Sequence, residues 1–309
     1  MATRRSTPSR KTTSPKSVSP KASAKKRSSF WPDGARLHIS ISMMWESGAE
    51  PPQYIAPQQM PPGMTDKFLD LSAETNIQYG YREGIPRMLD MFDRQKIKVS
   101  AFLAGKGIEL APALAKEIAE RGHECAAHGW THTRQFHYTR EEERAFIQRG
   151  VDSVVRICGQ PPLGYNCQGV RRSPNTLSVL QEMGFVYHID DLSRDEPFIV
   201  PVNGKDFAVV PYTHQMNDIQ HYRFRMGTTG EHEKLLKDEF EALYAEGATR
   251  RRMMLISLHD ELATAARVRV VERFIAWAKK QPGVVFSTKI DIARWALASD
   301  ITPRETEAT

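Results

Sequence analysis

Short apolar runs alternate with longer amphipathic stretches along most of the chain, beginning near Arg36. The first run, at residues 37–42, has the length and the alternating apolar positions of a strand. Farther along, apolar residues recur three and four positions apart at Ile85, Met88 and Phe92, which is typical of a buried helix face. The pattern therefore predicts strands and helices in alternation, as in parallel α/β folds.

The alternation continues almost to the end of the chain, and proline and glycine mark several of the predicted boundaries. Further strands are predicted at residues 98–103, 124–127, 163–166, 186–189, 208–212, 253–258 and 284–286. Further helices are predicted at residues 112–121, 140–158, 174–183, 235–247 and 267–280. Seven or so parallel strands with helices between them fit one (β/α) barrel better than two separate domains.

The basic character of the chain comes from its first 30 residues. They contain nine Lys and Arg and no acid, whereas the whole chain has a formal charge of +6, so the remainder is mildly acidic. A stretch so rich in Ser, Thr, Pro and Lys buries too little apolar surface to order itself, and we predict a disordered tail at residues 1–30. The alternatives are a weak contact with nucleic acid or a membrane surface, and an organellar transit peptide.

Other broad features limit the class of protein. No apolar run approaches the roughly 18 residues that span a bilayer. The three cysteines are widely spaced and form no CxxC pair, so we expect a reduced, cytoplasmic protein. We expect a small-molecule substrate, no nucleic acid apart from weak contacts of the tail, and no membrane span.

Two histidines four positions apart, His128 and His132, follow directly after the strand predicted at residues 124–127. Two neutral imidazoles can bind one ion such as Zn²⁺, but a catalytic zinc usually has a third protein ligand. The alternative is that one histidine caps a turn and the other packs in the core. The pair therefore predicts an incomplete metal site whose third ligand comes from elsewhere in the fold.

Other polar residues also follow predicted strands. In a (β/α) barrel the carboxyl ends of the strands form one face, where active sites lie. We therefore expect these side chains to lie close together: Ser42, Glu46, Tyr165, Asn166, Arg171, Asp190, Asp191, Thr213, His214, Asn217, His259 and Asp260. The alternatives are a solvated loop position for Glu46, capping of loop backbone by Asp190 and Asp191, and a core position for His259.

An ordered series of motifs resembles the polysaccharide deacetylase (NodB-homology) superfamily over residues 31–298. The motifs are YREGIP at 81–86, RGHE at 121–124, AHGWTH at 127–132, RSPNT at 172–176, PYT at 211–213, ND at 217–218, DEF at 238–240, LYAEG at 243–247, LH at 258–259 and DIAR at 291–294. Within it the chain is most similar to the branch of metal-independent allantoinases and cyclic-imide hydrolases. The resemblance implies a distorted (β/α)₇ barrel that hydrolyses non-peptide C–N bonds, in an oligomer, with residues 299–309 as a polar tail.

The segment after the first strand departs from the metal-using members of the superfamily. Those members have an Asp ligand and a neighbouring Asp base there, whereas this chain reads ISMMWE at residues 41–46. Aligned on Glu46, Met44 takes the ligand position and Ser42 the neighbouring one. A thioether is a poor ligand for the cations that hydrolyse amides. The allantoinase-like branch also lacks that Asp, and Glu46 and Glu50 correspond to its glutamates, so the resemblance implies either no metal or a weakly held divalent ion such as Zn²⁺.

Two versions of the chemistry follow. With a metal, His128, His132 and a carboxylate such as Glu46 or Asp190 hold the ion, and His259 protonates the leaving nitrogen. This version uses the ligand spacing of His128 and His132. It requires a carboxylate that the sequence does not place in the usual position.

Without a metal, a His or Glu deprotonates water, and Arg171 or Arg172 stabilises the oxyanion together with backbone N–H groups. We favour this version, because an imide or hydantoin carbonyl is more electrophilic than an acetamide and depends less on polarisation by a metal. Arg171 and Arg172 could instead form a structural salt bridge. The candidate catalytic residues are Glu46, His128, His132, Arg171, Asp190 and His259.

The remaining interpretations concern the walls of the site and the alternatives to ring opening. Trp45 and Trp130 are expected to line a pocket for a planar ring or a sugar. His123, at the start of its strand, is expected to be structural. A metal-dependent deacetylase of N-acetylated carbohydrate and a catalytically silent binding protein are the two alternatives. The segment at residues 260–267 lacks the Gly- and Pro-containing turn of close relatives, which leaves room for altered or lost activity.

Overall fold

The computed structural model describes residues 30–50 and 71–306, together with the terminal Met1. Nearly all of the predicted basic tail and the last three residues of the predicted polar tail lie outside the described residues. In the described part, nine strands and nine α-helices follow one another. The strands are Leu37–Trp45 (β1), Ser100–Leu103 (β2), Glu124–Ala127 (β3), Gly164–Tyr165 (β4), Tyr187–His188 (β5), Phe198–Val202 (β6), Lys205–Val209 (β7), Met253–His259 (β8) and Val284–Phe286 (β9).

The helices cover the outer face of the sheet. They are Leu71–Tyr79 (α1), Ile85–Gln95 (α2), Gly105–Leu110 (α3), Pro112–Glu120 (α4), Arg140–Cys158 (α5), Thr176–Glu182 (α6), Thr229–Glu246 (α7), Ala265–Ala278 (α8) and Lys289–Ala298 (α9). Short π-helices lie at Gly80–Gly84 and Gln220–Phe224. None of the helices in the described ranges is long and apolar enough to cross a membrane.

The sheet is a distorted (β/α)₇ barrel, as expected. Seven parallel strands follow the order β7-β5-β4-β3-β2-β1-β8, and β9 pairs with the start of β1. The sequence did not predict β6, which forms an antiparallel hairpin with β7. No continuous ladder joins β7 to β8 within the described residues. The chain after β7 closes that gap, where the Ser257 N–H donates to the Met216 carbonyl at 3.0 Å.

Strand β1 is three residues longer than the sequence predicts, and its alternation sets the two layers of the core. Leu37, Ile39, Ile41, Met43 and Trp45 are all buried against the helices. The residues between them face the barrel interior, where Met44 packs with Phe102 and other apolar side chains. Trp45 therefore does not line a substrate pocket as predicted. Its fully buried indole belongs to the helical layer and donates to the Ser47 carbonyl at 3.3 Å.

The sequence analysis did not predict several elements, because their sequence signals are short or because they depend on contacts distant in sequence. The first turn of α7 begins six residues before the prediction, at a capping box in which Thr228 accepts from the Glu231 N–H. Helix α9 was also missed. The described part of the polar C-terminal segment is not free, because the Ile199 N–H on β6 donates to the Pro303 carbonyl at 2.9 Å.

A buried amine lies at the amino-terminal end of the barrel interior. Lys289 is 1% exposed, and its Nζ lies 3.2 Å from the Ser40 hydroxyl. Burial lowers the pKa of Lys289 to about 7, although Glu124 acts in the opposite direction. The Glu124 carboxylate accepts from the Ser100 hydroxyl at 2.5 Å, the Tyr187 hydroxyl at 2.6 Å and the Ile290 N–H at 3.1 Å. These bonds join α9 to the strands.

A second buried carboxylate, Glu143 on α5, organises two loops next to the carboxyl ends of the strands. It accepts from the Gln135 amide at 2.6 Å, the Ser173 hydroxyl at 2.5 Å and the Thr176 hydroxyl at 2.5 Å. Gln135 in turn accepts from the Tyr165 hydroxyl at 2.7 Å. One side chain thus ties together the loops that precede α5 and α6.

We expect Glu143→Ala to destabilise the protein by about 3 kcal/mol or more, because three buried donors lose their acceptor at once. The exposed Glu141 of the same helix offers a matched control, and its replacement by Ala is expected to change stability by no more than about 0.5 kcal/mol. Urea unfolding of both variants gives the two values. Equal stabilities of the two variants would contradict the role of Glu143.

Lys289→Met is expected to change how stability depends on pH. In the wild type the unfolded chain binds a proton at Lys289 that the folded protein does not, between the folded pKa of about 7 and the ordinary value of 10.5. Wild-type stability relative to the variant should therefore fall as pH decreases from about 10.5 to about 7. Urea unfolding of both proteins at pH 7, 8.5 and 10 tests this, and a stability difference independent of pH would contradict it.

Candidate functional site

The Glu46 carboxylate lies at the carboxyl end of β1 and faces three imidazoles. Its Oε1 is 3.2 Å from His128 Nε2 and 3.6 Å from His259 Nε2, and its Oε2 is 3.1 Å from His132 Nε2. Glu46 is 6% exposed, and His128 and His259 are each 3% exposed. The structure thus brings four of the six predicted catalytic residues together at one point.

The backbone around the two histidines explains why they converge. The His128 N–H extends the ladder by donating to the Leu103 carbonyl at 3.0 Å, and the His132 N–H donates to the Ala49 carbonyl at 2.8 Å. Between them Gly129 has a φ of +71° and packs against α5, where a Cβ atom would lie 2.3 Å from the Phe146 ring. The glycine of the HGWTH motif is therefore required for the turn that aims both rings at Glu46.

The hydrogen bonds of His128 fix its tautomer. Its Nδ1 lies 2.8 Å from the Asn166 carbonyl, which can only accept, so Nδ1 carries the proton. In the neutral ring Nε2 then presents a lone pair towards the Glu46 carboxylate. Two groups with lone pairs at 3.2 Å need a proton or a cation between them.

The arrangement fits a divalent cation. The possible ligand atoms of Glu46, His128 and His132 all lie within 4.8 Å of one another, and one carboxylate with two imidazoles is a ligand set of catalytic zinc sites. Burial raises the pKa of Glu46, but His132, His259 and the hydrogen bond to His128 outweigh burial and hold the pKa well below its ordinary value. The carboxylate is therefore ionised and suited to be a ligand.

His259 has a different partner. Its Nδ1 lies 2.6 Å from Asp218 Oδ1, and its backbone N–H donates to Asp218 Oδ2 at 2.8 Å. Burial lowers the pKa of His259, but the charges of Asp218 and Glu46 and the hydrogen bond to Asp218 raise it to about 9. His259 is therefore a protonated imidazolium near neutral pH, and its Nε2–H points into the cluster.

Asp218 was quoted in a sequence motif but was given no role. Asp260 was listed among the residues after strands, and the structure shows what it does: its carboxylate accepts from the Glu46 N–H at 3.5 Å and the Ser47 N–H at 3.2 Å. The sequence signal for Asp260 was its place directly after β8, and that for Asp218 was the ND motif in the segment that follows β7. Burial raises the pKa of the nearby Glu50 to about 8, and the charges of Glu261 and Glu46 add to this effect.

Asp190 is not in the cluster, contrary to the catalytic expectation. Its Oδ1 accepts from the Asn166 amide at 2.7 Å and the Cys167 N–H at 2.8 Å, so it holds the end of β4 in place. Burial raises the pKa of Asp190 to about 6. Because Asn166 also accepts from His128, Asp190 acts on the site through Asn166, which is the loop-capping alternative that the sequence left open.

Arg171 is also outside the cluster. Its side chain is exposed, and its guanidinium lies 3.4 Å from the Gly169 carbonyl. Within the described residues it forms no hydrogen bond or ion pair with Glu46 or the imidazoles. The half-buried Arg172 acts on neighbouring groups by its charge: burial and then the charge of Arg172 lower the pKa of His188, whereas at Asp190 the charge of Arg172 opposes the rise in pKa that burial causes. The physical reason is the 3₁₀ turn at Gln168–Val170, which turns Arg171 outward.

The sequence also gave expectations for His123 and Trp130. His123 is buried at the far end of β3, where its Nδ1 accepts from the Val99 N–H at 3.2 Å, so it has a structural role. Trp130, inside the HGWTH motif, is half-buried, and the Arg149 guanidinium lies 3.8 Å from its ring centroid. This contact joins Trp130 to α5, and its role as an aromatic wall of the pocket stays a prediction.

Comparisons with known proteins agree with this arrangement. Residues 60–188 match the family model described as Polysaccharide deacetylase. A Schizosaccharomyces pombe protein named "Putative polysaccharide deacetylase" is 24% identical over 292 residues, which cover 85% of this chain and 91% of that protein.

Two solved structures share both the fold and more than a quarter of the sequence. The crystal structure of a "probable Polysaccharide deacetylase" from Pseudomonas aeruginosa PAO1 is 28% identical, with a TM-score of 0.79 over 87% of this chain and 94% of that chain. The crystal structure of Puue Allantoinase is 27% identical, with a TM-score of 0.79 over 92% of this chain and 99% of that chain. The chain is thus similar to polysaccharide deacetylases over residues 60–188, and it shares the barrel fold of these two solved structures.

Proposed function

We propose that the protein is a hydrolase of non-peptide C–N bonds that opens a cyclic amide, ureide or imide. The observation that carries the proposal is the convergence of an ionised carboxylate, two imidazoles with ligand spacing and an imidazolium held by Asp218. Hydrolysis of an amide needs an activated water and a proton for the leaving nitrogen. The cluster offers groups for both tasks within a few ångströms.

In this proposal Glu46, His128 and His132 hold a divalent cation. When bound, the cation would polarise the scissile carbonyl and lower the pKa of the attacking water. His128 is oriented for this role by Asn166, which Asp190 holds in turn. The proposal therefore departs from the metal-free version favoured by the sequence, because Glu46 supplies the carboxylate that Met44 does not.

His259 supplies the proton for the leaving nitrogen. Its Nδ1–H is held by Asp218, so the proton available to a substrate is the one on Nε2, which faces the cluster. As the C–N bond of the ring breaks, the nitrogen takes this proton and stays in the opened product as a neutral amine or amide. Asp218 stabilises the imidazolium before the transfer and orients the ring throughout.

Two observations support a ring substrate. The alignment with Puue Allantoinase extends over 99% of that chain. The carboxylate of the cluster is a glutamate two residues beyond the position at which the sequence resemblance expects the aspartate of the metal-using deacetylases. A deacetylase of N-acetylated carbohydrate is the second candidate, and the match of residues 60–188 to the polysaccharide deacetylase model favours it.

Metal binding provides the first test. Chelator-treated protein is expected to bind one equivalent of Zn²⁺ in a calorimetric titration, and His132→Ala should weaken binding by about 100-fold or more through loss of one of three ligands. His137→Ala is the matched control, because His137 is exposed on the same loop and belongs to no ligand set among the described residues. Equal Zn²⁺ affinities of His132→Ala and the wild type would contradict this metal site.

Turnover provides the second test, with hydantoin, allantoin, succinimide, dihydrouracil and a chitooligosaccharide, each with and without added Zn²⁺. We expect hydrolysis of at least one cyclic compound, and His259→Gln should lower its kcat by about 10²–10⁴-fold because the leaving nitrogen loses its proton donor. His214→Gln, at an exposed histidine, should leave kcat within about twofold.

The other outcomes separate the alternatives. Deacetylation of the chitooligosaccharide alone would replace ring opening by the second candidate. Inertness of all compounds under every condition, with normal folding, would favour the catalytically silent binding protein.

A further inference from the structure

A buried histidine, His232 on α7, lies behind the pair formed by His259 and Asp218. Its Nδ1 is 2.9 Å from the Tyr222 hydroxyl, and its ring stacks on that of His221 at a centroid distance of 4.9 Å. Its Nε2 is buried and has no hydrogen-bond partner among the described residues. An unpaired buried polar atom costs about 1–3 kcal/mol, so a partner from outside the chain is expected.

The space next to His232 can hold such a partner. A cavity of about 10 Å³ lies between α2, α7, α8 and the end of β8, which is near the lower limit for one water molecule. Most of its lining is apolar. The polar residues that line it are Asp218, Tyr222, His232 and Arg267.

Asp218 has capacity for another hydrogen bond. Each of its oxygens accepts one bond from His259, at 2.6 Å and 2.8 Å, and each carboxylate oxygen can accept two. Arg267 does not use this capacity, because its guanidinium lies over the Tyr222 ring, 4.1 Å from the centroid. A water in the cavity would therefore have a carboxylate acceptor on one side and the His232 ring on the other.

The state of the His232 ring suits this bridge. Burial lowers its pKa to about 4, so the ring is neutral and has a single N–H. A neutral imidazole that accepts from the Tyr222 hydroxyl at Nδ1 carries its proton on Nε2. The Nε2–H can then donate to a water, which keeps both of its own protons for acceptors.

We propose that His232 is a positioning residue that holds the Asp218 carboxylate through one water bound in this cavity, and that Asp218 in turn orients His259. The chain of hydrogen bonds runs from the Tyr222 hydroxyl to His232 Nδ1, from His232 Nε2–H to the water, and from the water to Asp218. This proposal rests on the proposed role of His259 as the proton donor. It adds a second layer of support, since a carboxylate held from only one side can rotate and take the imidazole with it.

Two measurements on the wild-type protein test the bridge without any substrate. A crystal structure at a resolution that defines waters should show one water between His232 Nε2 and Asp218. The ¹⁵N shifts of His232 should report a neutral ring with its proton on Nε2. An empty cavity, or a ring with its proton on Nδ1, would overturn the proposal.

Two variants test the effect on His259. His232→Phe keeps the ring volume but donates nothing, so the downfield proton resonance of His259 Nδ1–H should shift or broaden, and kcat should fall about 10-fold with KM within about twofold. His232→Gln retains an N–H donor and should recover most of kcat and the wild-type resonance. An unchanged resonance and kcat in His232→Phe would overturn the positioning role.

The failure of this proposal can be told apart from failure of the proposed function. If the wild type hydrolyses none of the test compounds, the proposed function fails, whereas the cavity water and the His259 resonance still decide the role of His232. If His232→Phe does not fold, the comparison of His232→Gln with the wild type decides it. A Gln variant that loses the water and shifts the resonance despite its N–H would count against the bridge.

Discussion

The site depends on the burial of one carboxylate, that of Glu46, at the end of the central strand. Removing an ionised carboxylate from water costs several kcal/mol unless opposite charge or donors compensate for it. Here the compensation comes from three imidazoles on two other strand ends, at 3.1 to 3.6 Å. Because His128 cannot donate from both nitrogens while neutral, the cluster is complete only when a proton or a cation lies between the rings and the carboxylate. Such a cluster requires the ends of β1, β3 and β8 to converge.

The barrel provides that convergence through β1. This strand pairs with β2 over four residues and with β8 over seven, and its even-numbered residues face the interior. Because side chains alternate along the strand, Met44 and Glu46 point inward, whereas Trp45 points to the helices. Asp260 then holds the backbone beyond the strand, since it accepts from the Glu46 and Ser47 N–H groups. The direction of the Glu46 carboxylate is thus fixed by backbone pairing rather than by its own side-chain contacts alone.

This dependence also explains what the sequence could predict. Periodicity predicted the strands, and the position after a strand end was sufficient to bring Glu46, His128, His132 and His259 together, because parallel strands end on one face. It could not predict the three extra residues of β1, which pair with β2 and, for Met43 and Met44, also with β8 more than 200 residues away. That extension moved Trp45 out of the site.

The expectation that a residue after a strand end lies in the site failed for Asp190 and for Arg171, for different reasons. A strand end places a residue on the right face of the barrel, but it does not say whether the side chain points to the centre or to a neighbouring strand. Asp190 bonds to the end of β4, and the 3₁₀ turn before Arg171 directs that side chain to solvent. Hydrogen bonds to a loop more than 20 residues away decide the position of Asp190, whereas a local turn without a clear sequence signal decides that of Arg171.

The hydrogen-bond partners of His128 and His259 suit these two imidazoles to different roles. His128 donates from Nδ1 to a backbone carbonyl, so Nε2 is the ring atom that faces Glu46 and is placed to act as a ligand. His259 donates from Nδ1 to a carboxylate, which stabilises the charged ring and keeps a proton on Nε2, as an acid does. The replacement of the usual aspartate by Met44 does not disturb this division. Glu46 lies two residues beyond Met44 and faces the barrel interior as Met44 does. The extra methylene of a glutamate lets its carboxylate reach both histidines of the motif from that position.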